Sequence, residues 1–228
     1  MRKPVVDYRQ FRFSKLTDPQ FNHLLFLLGW VGYFSLYFLT ENLIPVEQCH
    51  VVHSRLDDLI PFCEWFVIPY VFWYLLIVVT LLYFALYNPK GFKRFQLFII
   101  ITQVVAMAIY IIYPNMQDLR PDTFDRDNVL TRVIGLIYSF DTDTNVCPSL
   151  HVAYSVGIAS AWFKEKCVSK KWKAFVFISV ILICMSTVFI KQHSIVDAYV
   201  ANPVCVLAEA IAYGGYWKNK LHKEAIKE

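Results

Sequence analysis

A chain of 228 residues that is 57% hydrophobic, 17% aromatic and only 18% charged carries too little charge to stay dispersed as a water-soluble domain, and its composition points to a bilayer as solvent. The net charge of +4 does not mark a nucleic-acid binder. The basic residues cluster in short segments between apolar runs, where anionic lipid headgroups are their natural counterpart.

In chain order, the polar leader Met1–Phe21 is longer than the n-region of a signal peptide, and no small-x-small cleavage site follows Thr40, so Leu24–Thr40 is expected to be a retained helix. Crossing the hydrocarbon core takes roughly 20 mostly apolar residues. Leu24–Thr40 offers 17 uncharged residues, Trp65–Tyr87 offers 23, Phe95–Tyr113 offers 19 and Ala174–Ile190 offers 17. Two weaker segments complete the set, one over 148–163 that includes His151 and one over 193–217 that includes Asp197 and Glu209. Together with their short connections they predict an all-α integral membrane bundle of six transmembrane helices, a single domain over residues 1–228. The alternative for the two weaker segments is a buried or re-entrant helix.

Lysine and arginine set the expected orientation. With the N-terminus inside, the inner segments hold 17 of the 22 basic residues, from Arg2 to Lys15, Lys90 to Arg94, Lys164 to Lys173 and Lys218 to Lys227. The outer segments hold only Arg55, Arg120, Arg126, Arg132 and Lys191, together with most of the acidic residues. Both termini are therefore expected on the cytoplasmic side.

Most polar or sulfur-bearing positions have plain structural readings. Cys167, Cys184 and Cys205 suit small apolar fillers, whereas Cys49 and Cys63 could close a disulfide on the outer side if that compartment is oxidising. His23 is expected at the interface, and Trp65 and Trp73 in an aromatic belt. The apolar stretch Val129–Phe140 is expected to lie along the interface with Arg132 snorkelling. Asp141 and Asp143 are expected in a solvated acidic turn, and Glu209 to pair with a polar group on a neighbouring helix.

Three clusters resist such readings, because ionisable groups in or beside a span cost roughly 2.5–3.5 kcal/mol each at the helix centre and mark function by default. Arg120-Pro121 lies in the long outer segment, Cys147-Pro148-Ser149-Leu150-His151 opens one helix, and Lys191-Gln192-His193-Ser194-Ile195-Val196-Asp197 opens the last. All three fall at one membrane face. His193 and Asp197 are four residues apart and share a helix face; a carboxylate accepting from Nδ1 leaves Nε2 free to act as nucleophile or base. Pro148 suits a first helical turn, Ser149 adds a donor beside the amides there, which favour an anion, and His151 one turn in is placed to protonate a leaving oxygen. Arg120 offers a planar fork for phosphate oxygens.

In order and spacing these residues resemble the type 2 phosphatidic acid phosphatase superfamily, whose signatures are Lys-x6-Arg-Pro, Pro-Ser-x-His and Ser-Arg-x5-His-x3-Asp. The first survives as Arg120-Pro121, the second is intact at Pro148, Ser149 and His151, and the third keeps Ser186, His193 and Asp197. The resemblance implies that His193 attacks phosphorus with Asp197 orienting it, that His151 protonates the departing alcohol, and that Arg120 and the amides around Ser149 hold the phosphoryl oxygens, with no metal or other cofactor. The signatures fall within residues 114–200. Tyr113 and Thr187 stand where the family has a lysine and an arginine, and Lys191 is the candidate to supply a missing cation. The Lys-Gln-His sequence is similar to the inositol phosphorylceramide synthase-like branch.

The expected function is thus a membrane phosphatase acting on a lipid phosphate or diphosphate through a phosphohistidine, with the site on the extracytoplasmic side. A lipid headgroup transferase, and a catalytically silent scaffold or transporter, are the alternatives.

Overall fold

The structure, a computed structural model, describes residues 3–225; Arg2 and Lys227, counted above for orientation, lie outside them. Eight helices follow in order: α1 Leu28–Leu43, α2 Arg55–Leu59, α3 Val67–Tyr87, α4 Pro89–Ile112, α5 Val129–Phe140, α6 Leu150–Lys164, α7 Lys170–Phe189 and α8 Ile195–Ala225. The strands β1 His50–Val51 and β2 Asn115–Met116 pair in parallel and tie the segment after α1 to the segment after α4. Helix starts follow local chemistry. Pro89 occupies the first turn of α4 while the Asn88 side chain accepts from Gly91 N, Ser149 caps α6 and Ser169 caps α7.

Five segments are long and apolar enough to cross a membrane: Asn22–Leu43, Glu64–Tyr87, Pro89–Ile112, Lys170–Phe189 and Ile195–Lys220. The protein is an all-α integral membrane bundle. The expected sixth span is different. Helix α6 has 15 residues, about 22 Å at 1.5 Å per residue, short of a hydrocarbon core of about 30 Å. It lies inside the bundle against α3, α4, α7 and α8, which relieves it of the need to meet lipid along its length.

Lipid tails are as apolar as a leucine, so helices in a bilayer associate through close packing and interhelical hydrogen bonds. The core shows both. Phe84, Phe95, Phe98, Ile158 and Trp162 are buried together, and Trp162 Nε1 donates to Thr80 Oγ1 at 2.9 Å across the bundle. Gly157 allows α6 to approach α4; a Cβ there would meet the Phe98 ring at 2.8 Å.

The contacts correct some sequence expectations and meet others. Cys49 and Cys63 are free thiols and form no disulfide. His23 is fully buried, hydrogen-bonded to the Tyr8 hydroxyl at 2.6 Å and edge-on to Phe92; the leader folds back over the helix end and covers it. Val129–Phe140 is a helix whose buried Ile134 packs against Val67, Tyr70 and Ile190 while Leu136 and Phe140 stay exposed. Arg132 pairs with Asp127 through two bonds of 2.8 and 3.0 Å. Glu209 finds its partners: Lys164 Nζ at 2.6 Å and Ser160 Oγ at 2.6 Å.

Candidate active site

The turn between α7 and α8 carries His193, and its conformation is fixed from several sides. The backbone N–H groups of Gln192 and His193 both donate to Thr187 O, at 2.9 and 3.0 Å. Lys191 takes the left-handed conformation, with φ of 55°, a strained choice for a residue with a Cβ. Its ammonium donates to Asp57 O and Ile60 O at 2.8 and 2.6 Å. The Asp57 carboxylate, fully buried, accepts from Ser54 N at 2.8 Å, Ser194 Oγ at 2.6 Å and Ile195 N at 2.8 Å. It therefore caps two helices at once, α2 and α8.

Within this frame His193 Nδ1 lies 3.0 Å from Asp197 Oδ2. A carboxylate only accepts, so the proton sits on Nδ1 and Nε2 keeps its lone pair. Asp197 Oδ2 also accepts from Ser194 N at 3.0 Å, which fixes the carboxylate. The second imidazole comes from another helix. His151 lies against the rings of Tyr70 and Trp73, with centroids 4.7 and 4.4 Å away, and its ring centroid is 5.6 Å from that of His193. His151 Nε2 has no hydrogen-bond partner among the described residues. Burial, and then the neighbouring Asp197 carboxylate, push the Cys147 thiol up to about 12, so it stays protonated and unreactive.

Both histidines line a cavity of about 420 Å³. Nine of its 19 lining side chains are aromatic, among them Trp30, Tyr33 and Tyr37 of α1, Trp73 and Tyr74 of α3 and Tyr154 of α6. Among the described residues no lysine or arginine lines it, and Asp141 is the one lining carboxylate.

The structure thus brings His151, His193 and Asp197 together and places the expected phosphate ligands elsewhere. Lys191 points away from the cavity into the carbonyls of the α2 segment. Arg120 donates to Tyr138 O, Asp141 O and Thr142 O at 3.3, 2.9 and 2.8 Å, and to Gln192 Oε1 at 2.5 Å, with its guanidinium over the Tyr138 ring. Ser149 is fully buried; its hydroxyl caps α6 and its N–H donates to Asp197 O at 3.2 Å. Tyr113, at the motif's lysine position, stacks on His50 at the exposed rim, and Thr187 Oγ1 bonds back to Cys184 O.

Sequence reasoning missed four groups. Trp73 is no belt residue but a wall of the site. Asp141 is not a solvated turn residue: it lines the cavity, and burial pushes its carboxyl above the ordinary carboxylate range, with His193 and then Arg120 pulling the other way. Gln192 bridges Arg120 and Asp141, donating to Asp141 Oδ2 at 3.3 Å. Glu41 holds the turn after Asp141, accepting from Thr142, Thr144 and Asn145. The Ser54-x-x-Asp57 capping signature was a visible signal for Asp57, though not for its second role 137 residues away. Among the described residues no group of three or more His, Cys, Asp or Glu is placed to hold a metal ion.

Fold and site define an all-α integral membrane protein with a histidine–carboxylate pair facing a second histidine across an aromatic cavity. Comparison with protein-family models, curated proteins and solved structures returns no match.

Proposed function

We propose that the protein is a membrane enzyme that transfers a phosphoryl group from a lipid phosphate or diphosphate through a phosphohistidine at His193. The observation that carries this reading is the pair of imidazoles from separate helices, 5.6 Å apart, one oriented by Asp197 and the other with an unpartnered Nε2. His193 Nε2 bonds to phosphorus as the phosphorus–oxygen bond to the lipid alcohol breaks, and His151 Nε2 delivers the proton to the leaving oxygen. An acceptor hydroxyl then returns a proton to His151 as its oxygen displaces the histidine. Water as acceptor makes the enzyme a phosphatase.

One observation favours an alcohol acceptor as the second reading. The cavity is walled largely by aromatic rings, a surface that receives a lipid hydroxyl and its chain more readily than bulk water. The likeness of the motifs to the type 2 phosphatidic acid phosphatase signatures supports both readings. The test is incubation of purified protein with 32P-labelled lipid phosphates. His193→Ala should abolish turnover and the acid-labile phosphoenzyme while keeping the fold, with free phosphate reporting hydrolysis and a new lipid reporting transfer. Wild-type protein inert on every lipid phosphate and phosphodiester would leave a silent scaffold.

We place both termini on the cytoplasmic side and the site on the other, on the strength of the lysine and arginine bias. Cys167 is exposed and Cys49 half-buried. In single-cysteine variants an impermeant thiol reagent added to intact cells should label Cys49 and spare Cys167; the reverse pattern inverts the topology.

A further inference from the structure

We propose that the groove between α6 and α8, at the end of the bundle away from the two imidazoles, binds an anionic phospholipid whose headgroup carries no cation. Its phosphate lies at Lys164 and Lys220 and an acyl chain follows the apolar length of the groove. This is a second site, and it does not rest on phosphoryl transfer: Lys164 lies about 20 Å along α6 from His151, at 1.5 Å per residue.

The first argument is shape. The groove encloses about 740 Å³, more than the cavity beside His193. Its deeper part is walled by Val156 and Ala159 of α6 and by Cys205, Val206 and Ala210 of α8. Asn202, also at that end, turns its amide onto Ala198 O of its own helix at 3.0 Å. The groove follows the second half of the span Ile195–Lys220. From Val206 to Lys220 α8 rises about 21 Å, and one leaflet takes up about 15 Å of the hydrocarbon core, so the groove runs from the middle of the bilayer to its headgroup layer. Val206 on its wall is 70% exposed, which leaves the groove open to lipid from the side.

The second argument is the polar end, which is built around Glu209. The carboxylate accepts from Lys164 Nζ and Ser160 Oγ, both at 2.6 Å, and from Trp217 Nε1 at 2.7 Å. These three donors fix the Lys164 ammonium and the Trp217 indole where the groove reaches the interface. Lys164 Nζ lies over the Tyr213 and Trp217 rings, 4.2 and 5.1 Å from their centroids, and Lys220 Nζ lies 5.4 Å from the same Trp217 centroid. The lining therefore holds two ammonium groups against one carboxylate, and the lysines of the 166–173 turn stand at the same end of the bundle. Basic pockets between membrane helices take anionic lipid headgroups, each lysine near the surface favouring them about fivefold. A zwitterionic lipid would bring its own ammonium up to two others and gains less.

Native mass spectrometry tests this on the purified full chain, stripped of lipid in detergent and then given equimolar phosphatidylglycerol, phosphatidylcholine and phosphatidylethanolamine. We expect one phosphatidylglycerol to be retained at least about fivefold over either zwitterionic lipid, and Lys220→Ala to reduce that preference about fivefold. Val206→Trp, which fills the groove from its open side, should lower retention of phosphatidylglycerol at least about fivefold, whereas Lys170→Ala, on the same face but outside the groove, should leave it unchanged. Equal retention of the three lipids overturns the site, and so does a loss in Lys170→Ala as large as in Lys220→Ala, which would reduce the effect to diffuse surface charge. A dimer that Val206→Trp dissociates would seat a second copy of the chain in the groove and overturn the lipid.

Discussion

Replacing Asp57 with asparagine should loosen the turn that carries His193, and the size of the effect follows from the three donors aimed at the carboxylate. Oδ2 accepts from Ser54 N and Ser194 Oγ, and Oδ1 accepts from Ile195 N. An asparagine has one carbonyl oxygen and one NH2. If the NH2 takes the Oδ1 position it faces Ile195 N–H; if it takes the Oδ2 position it faces Ser54 N–H, because only the Ser194 hydroxyl can turn to accept. One backbone N–H is orphaned either way, at about 1–3 kcal/mol for a buried donor. The remaining bonds lose their charge assistance, about 1 kcal/mol more. Asp57→Asn should therefore cost about 2–4 kcal/mol in total, concentrated at the α2–α8 junction. Hydrogen exchange in detergent should show the Ser54 and Ile195 amides, the two that donate to this carboxylate, losing protection while the α4 core amides keep theirs. Unchanged protection at those two amides would refute the clamp, whatever the protein's activity.

Three further outcomes follow from packing and charge. Gly157→Ala forces a Cβ to within 2.8 Å of the buried Phe98 ring and should cost about 1–3 kcal/mol by overpacking, read as a lower Tm with α6 and α4 loosened together. Glu209→Gln strands Lys164, whose pair has side-chain exposures of 11% and 25%; we expect a loss of about 2–3 kcal/mol, below the range for a fully buried pair, largely recovered in Lys164→Met/Glu209→Gln, and no recovery would argue against the pairing. His53 sits between Asp118 and Asp58, and those bonds raise its pKa above 6.5, the Asp118 bond most; being raised, its contribution is complete below 6.5 and fades as pH climbs through the folded value, so proteolysis of the 50–60 segment should rise on the alkaline side, and an NMR titration giving a pKa at or below 6.5 would contradict this.

How much was legible in the sequence follows the range of each interaction. Charge-free runs showed the four strongest spans, and the i, i+4 spacing of His193 and Asp197 survives as a direct bond, because both are properties of one local stretch. The contacts of Lys191 and Arg120 were not legible for the opposite reason. A cation in a loop beside a phosphate motif reads as a ligand, yet its partners here are carbonyls from segments 131 to 134 and 18 to 22 residues away, and no spacing rule announces them. Trp73 shows the same limit: an aromatic near a span end reads as a belt residue until a histidine from α6 packs against it. Helix α6 was legible as apolar, with a buried helix only as the alternative to a span, since periodicity records which residues avoid water and not whether lipid or protein replaces it.

The departures at positions 113 and 187 and the placements of Arg120 and Lys191 have one physical consequence between them. With Tyr113 out at the rim on His50 and Thr187 bonded back along α7, neither position brings a cation to the cavity. The surviving cations stiffen the frame instead, Arg120 tying the turn after α5 to Gln192 and Lys191 tying α2 to the turn before α8. Both ties converge on the residues immediately before His193, so the ring is oriented from behind while its front faces a cavity of negative and aromatic character.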